Sequence, residues 1–385
     1  MFTYHMDTHI EFGTGKVREL ADILRHHDIP PRLLVVTDSG VVHAGLVQPI
    51  LDNLSTEGYT CTLFTHVQPN PRDEDCMLGA RQFAETGAAA ILAIGGGSAM
   101  DTAKTIALLA ASGGTPAQYA DGHLSYAAVH PVVCIPTTAG TGSEVTRSAV
   151  ITESSTHRKM TLKHARLRPR LAILDPQLTL TVPPSVTAAT GVDALVHAIE
   201  GYTCTVSTPI SKAFGQAAMP KIVAALPTAV SDGNNLAARE DMLLGSLLAG
   251  LCFGNADVAA VHCLAEALGG LYDTPHGVAN AVFLPYVLRY NAEGEPRLHA
   301  HLARLMKFAT EEDSDEEAVL KLVNGVATWT RKLGIPTLRA LKDVRREDFD
   351  QLVELAFANG SNPSNVRPIG KSEYRTILEN AWNDQ

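Results

Sequence analysis

Up to Asp175 the chain alternates short apolar runs with stretches of helical period, and after about residue 180 the strands stop. The apolar runs are Arg32 to Thr37 (RLLVVT), Thr60 to His66 (TCTLFTH), Ala88 to Ile94 (AAAILAI), Val129 to Ile135 (VHPVVCI) and a short Ala172 to Leu174. Helical patterns such as Val42 to Ser55 and Asp73 to Thr86 lie between them. Continuous apolar strands separated by helices require a parallel sheet covered on both faces. From Pro183 and Pro184 onward only helical periods are found, at Ser185 to Tyr202, Ala237 to Leu251, Ala259 to Leu268 and Glu316 to Leu333. The expectation is an α/β N-terminal domain with a Rossmann-like parallel sheet over residues 1–180. An all-α C-terminal domain over 181–385 follows it, with the boundary near 178–184.

A chain of 385 residues is long enough for two such cores. No apolar stretch approaches the roughly eighteen residues needed to span a bilayer, so no membrane partner is expected. The N-terminus, MFTYHMDTHIEFG, has no basic region followed by an apolar run and does not read as a secretory signal. Six scattered cysteines without a CxxC pair suit a reducing compartment, and the expected location is the cytoplasm. A net charge of −10 with few aromatic residues argues against a nucleic-acid partner.

One loop stands out in the first half. Gly95, Gly96, Gly97 and Ser98 follow an apolar strand and open a helix that continues through Asp101 to Lys104. Glycines let backbone N–H groups approach phosphate oxygens, and the helix N-terminus adds partial positive charge. A glycine turn needed only for geometry would look the same. The pattern is neither GxGxxG nor a Walker loop. An acid for the cofactor ribose must therefore come from elsewhere, and Asp38, just after the Arg32–Thr37 strand, is the candidate. A carboxylate there binds ribose hydroxyls and repels a 2′-phosphate, favouring NAD over NADP. Asp38 as a simple turn or helix cap is the alternative. A second polar loop, Pro136 to Glu144 (PTTAGTGSE), follows the Val129–Ile135 strand.

In the second half Asp193 and His197 stand four residues apart, on one face of a helix. His262 lies in a helix that is expected to stop at Gly269-Gly270. Thr274 is the expected N-cap of the next helix and Pro275 its first residue, which puts His276 at a helix start. Three imidazoles and a carboxylate suit Fe(II), Zn(II), Co(II) or Ni(II) and disfavour calcium or magnesium. Spacing alone does not bring His262 and His276 to the first pair.

Four segments, GGGSAMDTAK, PTTAGTGSEVT, GVDALVHAIE and HCLAEALGGLYDTPHGVANAVFLPYVLRYN, together resemble the iron-containing (group III) metal-dependent alcohol dehydrogenase family, in order and spacing. The resemblance covers nearly the whole chain. It implies a dinucleotide-binding domain and a helical metal-binding domain with the active site in the cleft between them. It implies Asp193, His197, His262 and His276 as metal ligands, with Fe(II) the expected ion and Zn(II) an alternative. Gly95, Gly96, Gly97, Ser98 and Asp101 fall on its pyrophosphate loop, and Thr137, Thr138 and Ser143 on its adenine- and phosphate-contacting loop. Asp38 matches its NAD-selecting acid and Lys159 its nicotinamide-ribose lysine. Asn70 and Phe253 match residues near the substrate. Glu266 departs from the pattern, because many members carry histidine there. Its expected place is beside the site, orienting a ligand or a water, with general acid/base work the alternative.

The activity implied is reversible hydride transfer between a small alcohol or aldehyde and NAD. The metal lowers the pKa of the alcohol and nicotinamide C4 takes the hydride. A homodimer or larger homo-oligomer is expected. Three other readings fit the residues less well. A lyase similar to dehydroquinate synthase would want Lys or Arg clustered near the metal, and residues 193–202 and 262–280 hold no such cluster. A non-catalytic NAD-binding sensor has no need of four retained ligands. A maleylacetate reductase-type enzyme is nearer, but GTGSEVT looks more like the alcohol group.

Overall fold

The computed structural model describes residues 1–384, which form two compact units. One comprises His5–Val182 with Asn234–Leu243. The other comprises Met1–Tyr4, Pro183–Gly233 and Leu244 onward.

The first unit is built on strands β1 (His9–Phe12), β2 (Arg32–Val36), β3 (Thr60–Phe64), β4 (Ala90–Gly95), β5 (Val132–Pro136) and β8 (Leu171–Leu174). They form one sheet in the order β1-β8-β5-β4-β2-β3, every pair parallel. β6 (Ser148–Thr152) and β7 (Lys159–Lys163) make a separate antiparallel hairpin. The helices are α1 (Leu20–His26), α2 (Ser39–His43), α3 (Val47–Thr56), α4 (Asp73–Glu85), α5 (Gly97–Ser112) and α6 (Pro116–Ala120).

Side chains alternate across a strand, and the two faces of this sheet carry two separate cores. Leu33, Val35, Leu92, Ile94, Val133 and Ile135 pack with Leu24, Ile50 and Leu54 from α1 and α3. Leu34, Val36, Ile91, Ala93 and Cys134 pack with Phe83, Met100 and Ile106 from α4 and α5. Double-sided burial is why these strands are apolar at every position.

The topology fixes where a ligand can sit. From β2 the chain goes outward to β3, then returns to the other side of β2 to form β4 and moves on to β5. The order reverses between β2 and β4, and ligands of such sheets bind outside the carboxyl ends at that switch point. Asp38 follows β2, Gly95–Gly97 ends β4 and opens α5, and Thr137–Thr138 follows β5.

The second unit contains α7 (Pro184–Thr203), α8 (Pro209–Ser231), α10 (Ala260–Tyr272), α11 (His276–Gly294), α12 (Pro296–Leu305), α13 (Asp315–Lys332), α14 (Phe349–Phe357), α15 (Lys371–Asn383) and most of α9 (Leu236–Phe253). No strand occurs in it among the described residues. No helix of the described residues is long and apolar enough to cross a membrane.

Several local expectations are corrected. The single helix expected over Val42 to Ser55 is two helices, broken at Gly45, whose φ of +74° a helix cannot continue through. α8 was not foreseen, because it runs through Pro220 and Pro227. α10 does not stop at Gly269-Gly270. It continues to Tyr272 and ends on Asp273 in the left-handed conformation, which Asp tolerates better than most residues. α11 starts at His276 with Pro275 in the cap position, so Thr274 is not its N-cap.

Candidate active site

α7 presents Asp193, His197 and Glu200 on one face, at i, i+4 and i+7. α10 supplies His262 in its first turn, and α11 supplies His276 at its first residue with Asn280 four residues on. One potential ligand atom from each of Asp193, His197, His262 and His276 lies within 4.8 Å of all the others. Packing inside the helical unit thus brings together the two pairs that spacing alone left apart.

The donor atoms are aimed as well as gathered. Glu200 is buried and accepts the backbone N–H of Ala259 at 2.8 Å and of Val261 at 2.7 Å. Its Oε2 also lies 2.6 Å from His262 Nδ1. A proton held there leaves Nε2 with its lone pair, facing His197 Nε2 at 3.0 Å. Asn280, fully buried, donates through Nδ2 to Asp193 Oδ1 at 2.6 Å and stands 3.0 Å from His276 Nε2, so one amide holds the carboxylate and the ring side by side. The Phe253 ring stacks on His197 with centroids 4.1 Å apart. Asp193, His197 and His262 side chains are 5 % exposed or less, whereas His276 is 36 % exposed, so the cluster is reached past His276.

Burial pushes the Asp193 carboxyl up to about 6, with His262 and Asn280 pulling the other way and Glu200 adding to the rise. For His262 burial disfavours the cation, but Glu200 and then Asp193 and Glu266 outweigh it, and its pKa is raised. A buried carboxylate among converging imidazole lone pairs is an arrangement that a cation stabilises. Donors about 2.1 Å from a shared tetrahedral ion stand roughly 3.4 Å apart. The 3.0 Å between His262 and His197 and the 3.8 Å between Asp193 Oδ1 and His276 Nε2 bracket that value. The residues fit a divalent transition metal.

The sequence reading singled out all four of these residues but not Glu200 or Asn280. Both signals were available, Glu200 at i+7 from Asp193 and Asn280 at i+4 from His276. Glu266 accepts a hydrogen bond from Asn359 Nδ2 at 2.7 Å and is half-buried.

In the α/β unit the glycine loop and the threonine loop are seated against each other. Thr137 N–H donates to the Gly95 carbonyl at 3.0 Å. A Cβ on Gly96 would stand 3.2 Å from Thr138 Oγ1, and one on Gly97 would stand 2.7 Å from Thr141 Cγ2. A side chain at Gly97 would push Thr141 aside, and one at Gly96 would crowd Thr138. The early N–H groups of α5 have no partner within the helix and point out of this loop. Asp38 caps α2 by accepting Val41 N–H through Oδ1 at 3.0 Å. Its Oδ2 stands 3.4 Å from where a Gly95 Cβ would be, beside the glycine loop. Ser98 Oγ donates to the Pro69 carbonyl at 2.6 Å, and Lys159 Nζ donates to Asn70 Oδ1 at 2.6 Å. Asp101 and Ser143 bond to each other at 2.6 Å.

Comparison with known proteins agrees with this geometry. The model of the family described as iron-containing alcohol dehydrogenase matches residues 7–176, and the C-terminal model of the same family matches residues 187–382. The chain belongs to the iron-containing alcohol dehydrogenase family. It is an oxidoreductase, an alcohol dehydrogenase. It is 36% identical to the NAD-dependent methanol dehydrogenase of Bacillus methanolicus, over 96% of this chain and 97% of that one. It is 38% identical to the 1,3-propanediol dehydrogenase of Citrobacter freundii, over 91% of each. The crystal structure of a 1,3-propanediol oxidoreductase superposes with a TM-score of 0.93 at 37% identity, covering 99% of this chain and 100% of that one.

Proposed function

We propose that the enzyme interconverts small primary alcohols and aldehydes, using NAD(H) and one divalent iron held by Asp193, His197, His262 and His276. The observation that carries the reading is the buried cluster of one carboxylate and three imidazoles, with Glu200 turning the His262 Nε2 lone pair inward and Asn280 holding Asp193 beside His276. The substrate class is supported by the relatives named for methanol and 1,3-propanediol. Iron bound there supplies Lewis acidity toward an alcohol hydroxyl, and NAD accepts hydride at nicotinamide C4.

The chain's own residues do the rest. Glu200 fixes the tautomer of His262, and Phe253 covers one face of His197 and keeps water from it. Gly96, Gly97 and the start of α5 receive the pyrophosphate through backbone N–H groups. Asp38, with Oδ2 beside that loop, takes the adenosine ribose. Thr137 and Thr138 border the pyrophosphate, and Lys159, held by Asn70, approaches the nicotinamide ribose. Six unpaired cysteines, five of them buried, support a cytoplasmic location. A homo-oligomer completes the reading.

A panel of short primary alcohols and diols with NAD, and of aldehydes with NADH, tests the proposal on iron-loaded protein by NADH absorbance. Turnover in both directions with at least one small primary alcohol is expected. Absence of any NAD(H)-linked turnover across the panel would overturn it.

A further inference from the structure

Lys104, on α5, is fully buried. Its ammonium has three donors and meets three acceptors, Ser143 Oγ at 2.7 Å, Thr146 Oγ1 at 3.2 Å and the Ser148 carbonyl at 2.9 Å. All three lie on the segment that runs from the threonine loop into β6. Ser143 passes the contact on, since its hydroxyl donates to Asp101 Oδ1 at 2.6 Å. Asp101 Oδ2 accepts the Val150 N–H at 2.9 Å, and Lys104 Nζ stands 3.7 Å from Asp101 Oδ1. A closed relay of Lys104, Ser143 and Asp101 therefore ties the helix behind the glycine loop to the chain behind the threonine loop.

The two loops above this relay have little slack, with Gly97 against Thr141 and Gly96 against Thr138. A buried ammonium is costly unless it is paired and hydrogen-bonded, and this one is paired with the Asp101 carboxylate and saturated by three oxygens of the opposite segment. What the ammonium provides is a fixed distance between two loops.

We propose that Lys104 is a positioning residue for the cofactor. It sets the spacing of the glycine and threonine loops, with Ser143 and Asp101 acting as its relay beneath the loops and not as contacts to the cofactor. This rests on the reading that these loops bind NAD(H).

The test is NADH affinity of the intact, metal-loaded enzyme, measured by protein fluorescence, together with KM for NAD, kcat and metal content. Lys104→Met keeps the length of the chain and removes the charge. A small displacement of a binding loop costs about ten- to a hundredfold. NADH affinity and KM for NAD should therefore worsen on that scale, with bound metal unchanged and kcat at saturating NAD changed much less. Ser143→Ala leaves Lys104 two of its acceptors and should have a smaller effect. In the Lys104→Met background it should add nothing further. Thr146→Val is the fallback should Lys104→Met fail to fold, and it should raise KM for NAD with kcat kept. Wild-type NADH affinity in Lys104→Met, or in the fallback Thr146→Val, overturns the proposal. So does a Ser143→Ala loss that is undiminished in the Lys104→Met background, because that would place Ser143 on the cofactor itself. Failure of the wild type to bind NADH would instead refute the cofactor reading on which the proposal stands.

Discussion

Glu200 accepts three hydrogen bonds, two from the start of α10 and one from the His262 ring, so one carboxylate both seats a helix and orients the His262 ring. Glu200→Gln keeps the shape but offers a single acceptor oxygen to three donors. Loss of such an outer partner weakens metal binding about 10- to 100-fold. A competing chelator should strip the variant at correspondingly lower concentration, with its helical content intact. Metal retention equal to the wild type would deny Glu200 this role. Glu266, which holds Asn359, is a different case. Its replacement by Gln should lower kcat slightly and leave the pH profile unchanged. Disappearance of a kinetic pKa with a fall of about a hundredfold would make it a general acid or base. At Asp38, where one carboxylate oxygen caps α2, the other is the feature expected to exclude a 2′-phosphate. Asp38→Gly should bring kcat/KM with NADPH toward that with NADH. A wild type that already uses both equally would contradict the assignment.

At the scale of elements, the loop between β5 and β6 carries a second buried acid. Burial pushes Glu144 up to about 7, opposed by a backbone hydrogen bond and by Lys104. With its ordinary value at 4.5, the unfolded chain releases this proton first as pH rises, and the folded protein releases it only near 7. Stability from this group is therefore fully present below about pH 4.5 and is lost progressively up to about pH 7. Glu144→Gln should flatten that decline in Tm across the window, and parallel Tm curves for variant and wild type would contradict the burial argument. The elements themselves were unequally legible. β4 and β5 could be read within a few residues because burial on both faces makes them apolar throughout. β1, four residues at the sheet edge, was not read, because its formation depends on pairing with β8. The β6–β7 hairpin was missed although Lys159–Lys163 alternates buried and exposed positions, because the run is short and bounded by lysines. α8 was hidden by its two internal prolines.

Over the whole molecule, the change from strands to helices is legible in the periodicity alone, since β8 is the last strand and only helices follow it among the described residues; one compact unit comprises His5–Val182 with Asn234–Leu243. That segment carries no signal in the sequence, since it is the first part of a helix whose remainder belongs to the other unit. The cluster of Asp193, His197, His262 and His276 was half legible. Asp193 and His197 declare themselves by helical spacing, but Glu200 meets His262 across 62 residues, a contact that only tertiary packing creates. Turnover is expected to depend on an ion held by those buried donors. The most direct measurement is NAD-linked alcohol oxidation as a function of bound iron, by elemental analysis and NADH absorbance on the same samples, for wild type and His262→Ala. Turnover should rise in proportion to iron up to one ion per chain, and His262→Ala should remain folded while losing most of both. Full turnover in metal-free protein, or stoichiometric iron and undiminished activity in His262→Ala, would contradict it.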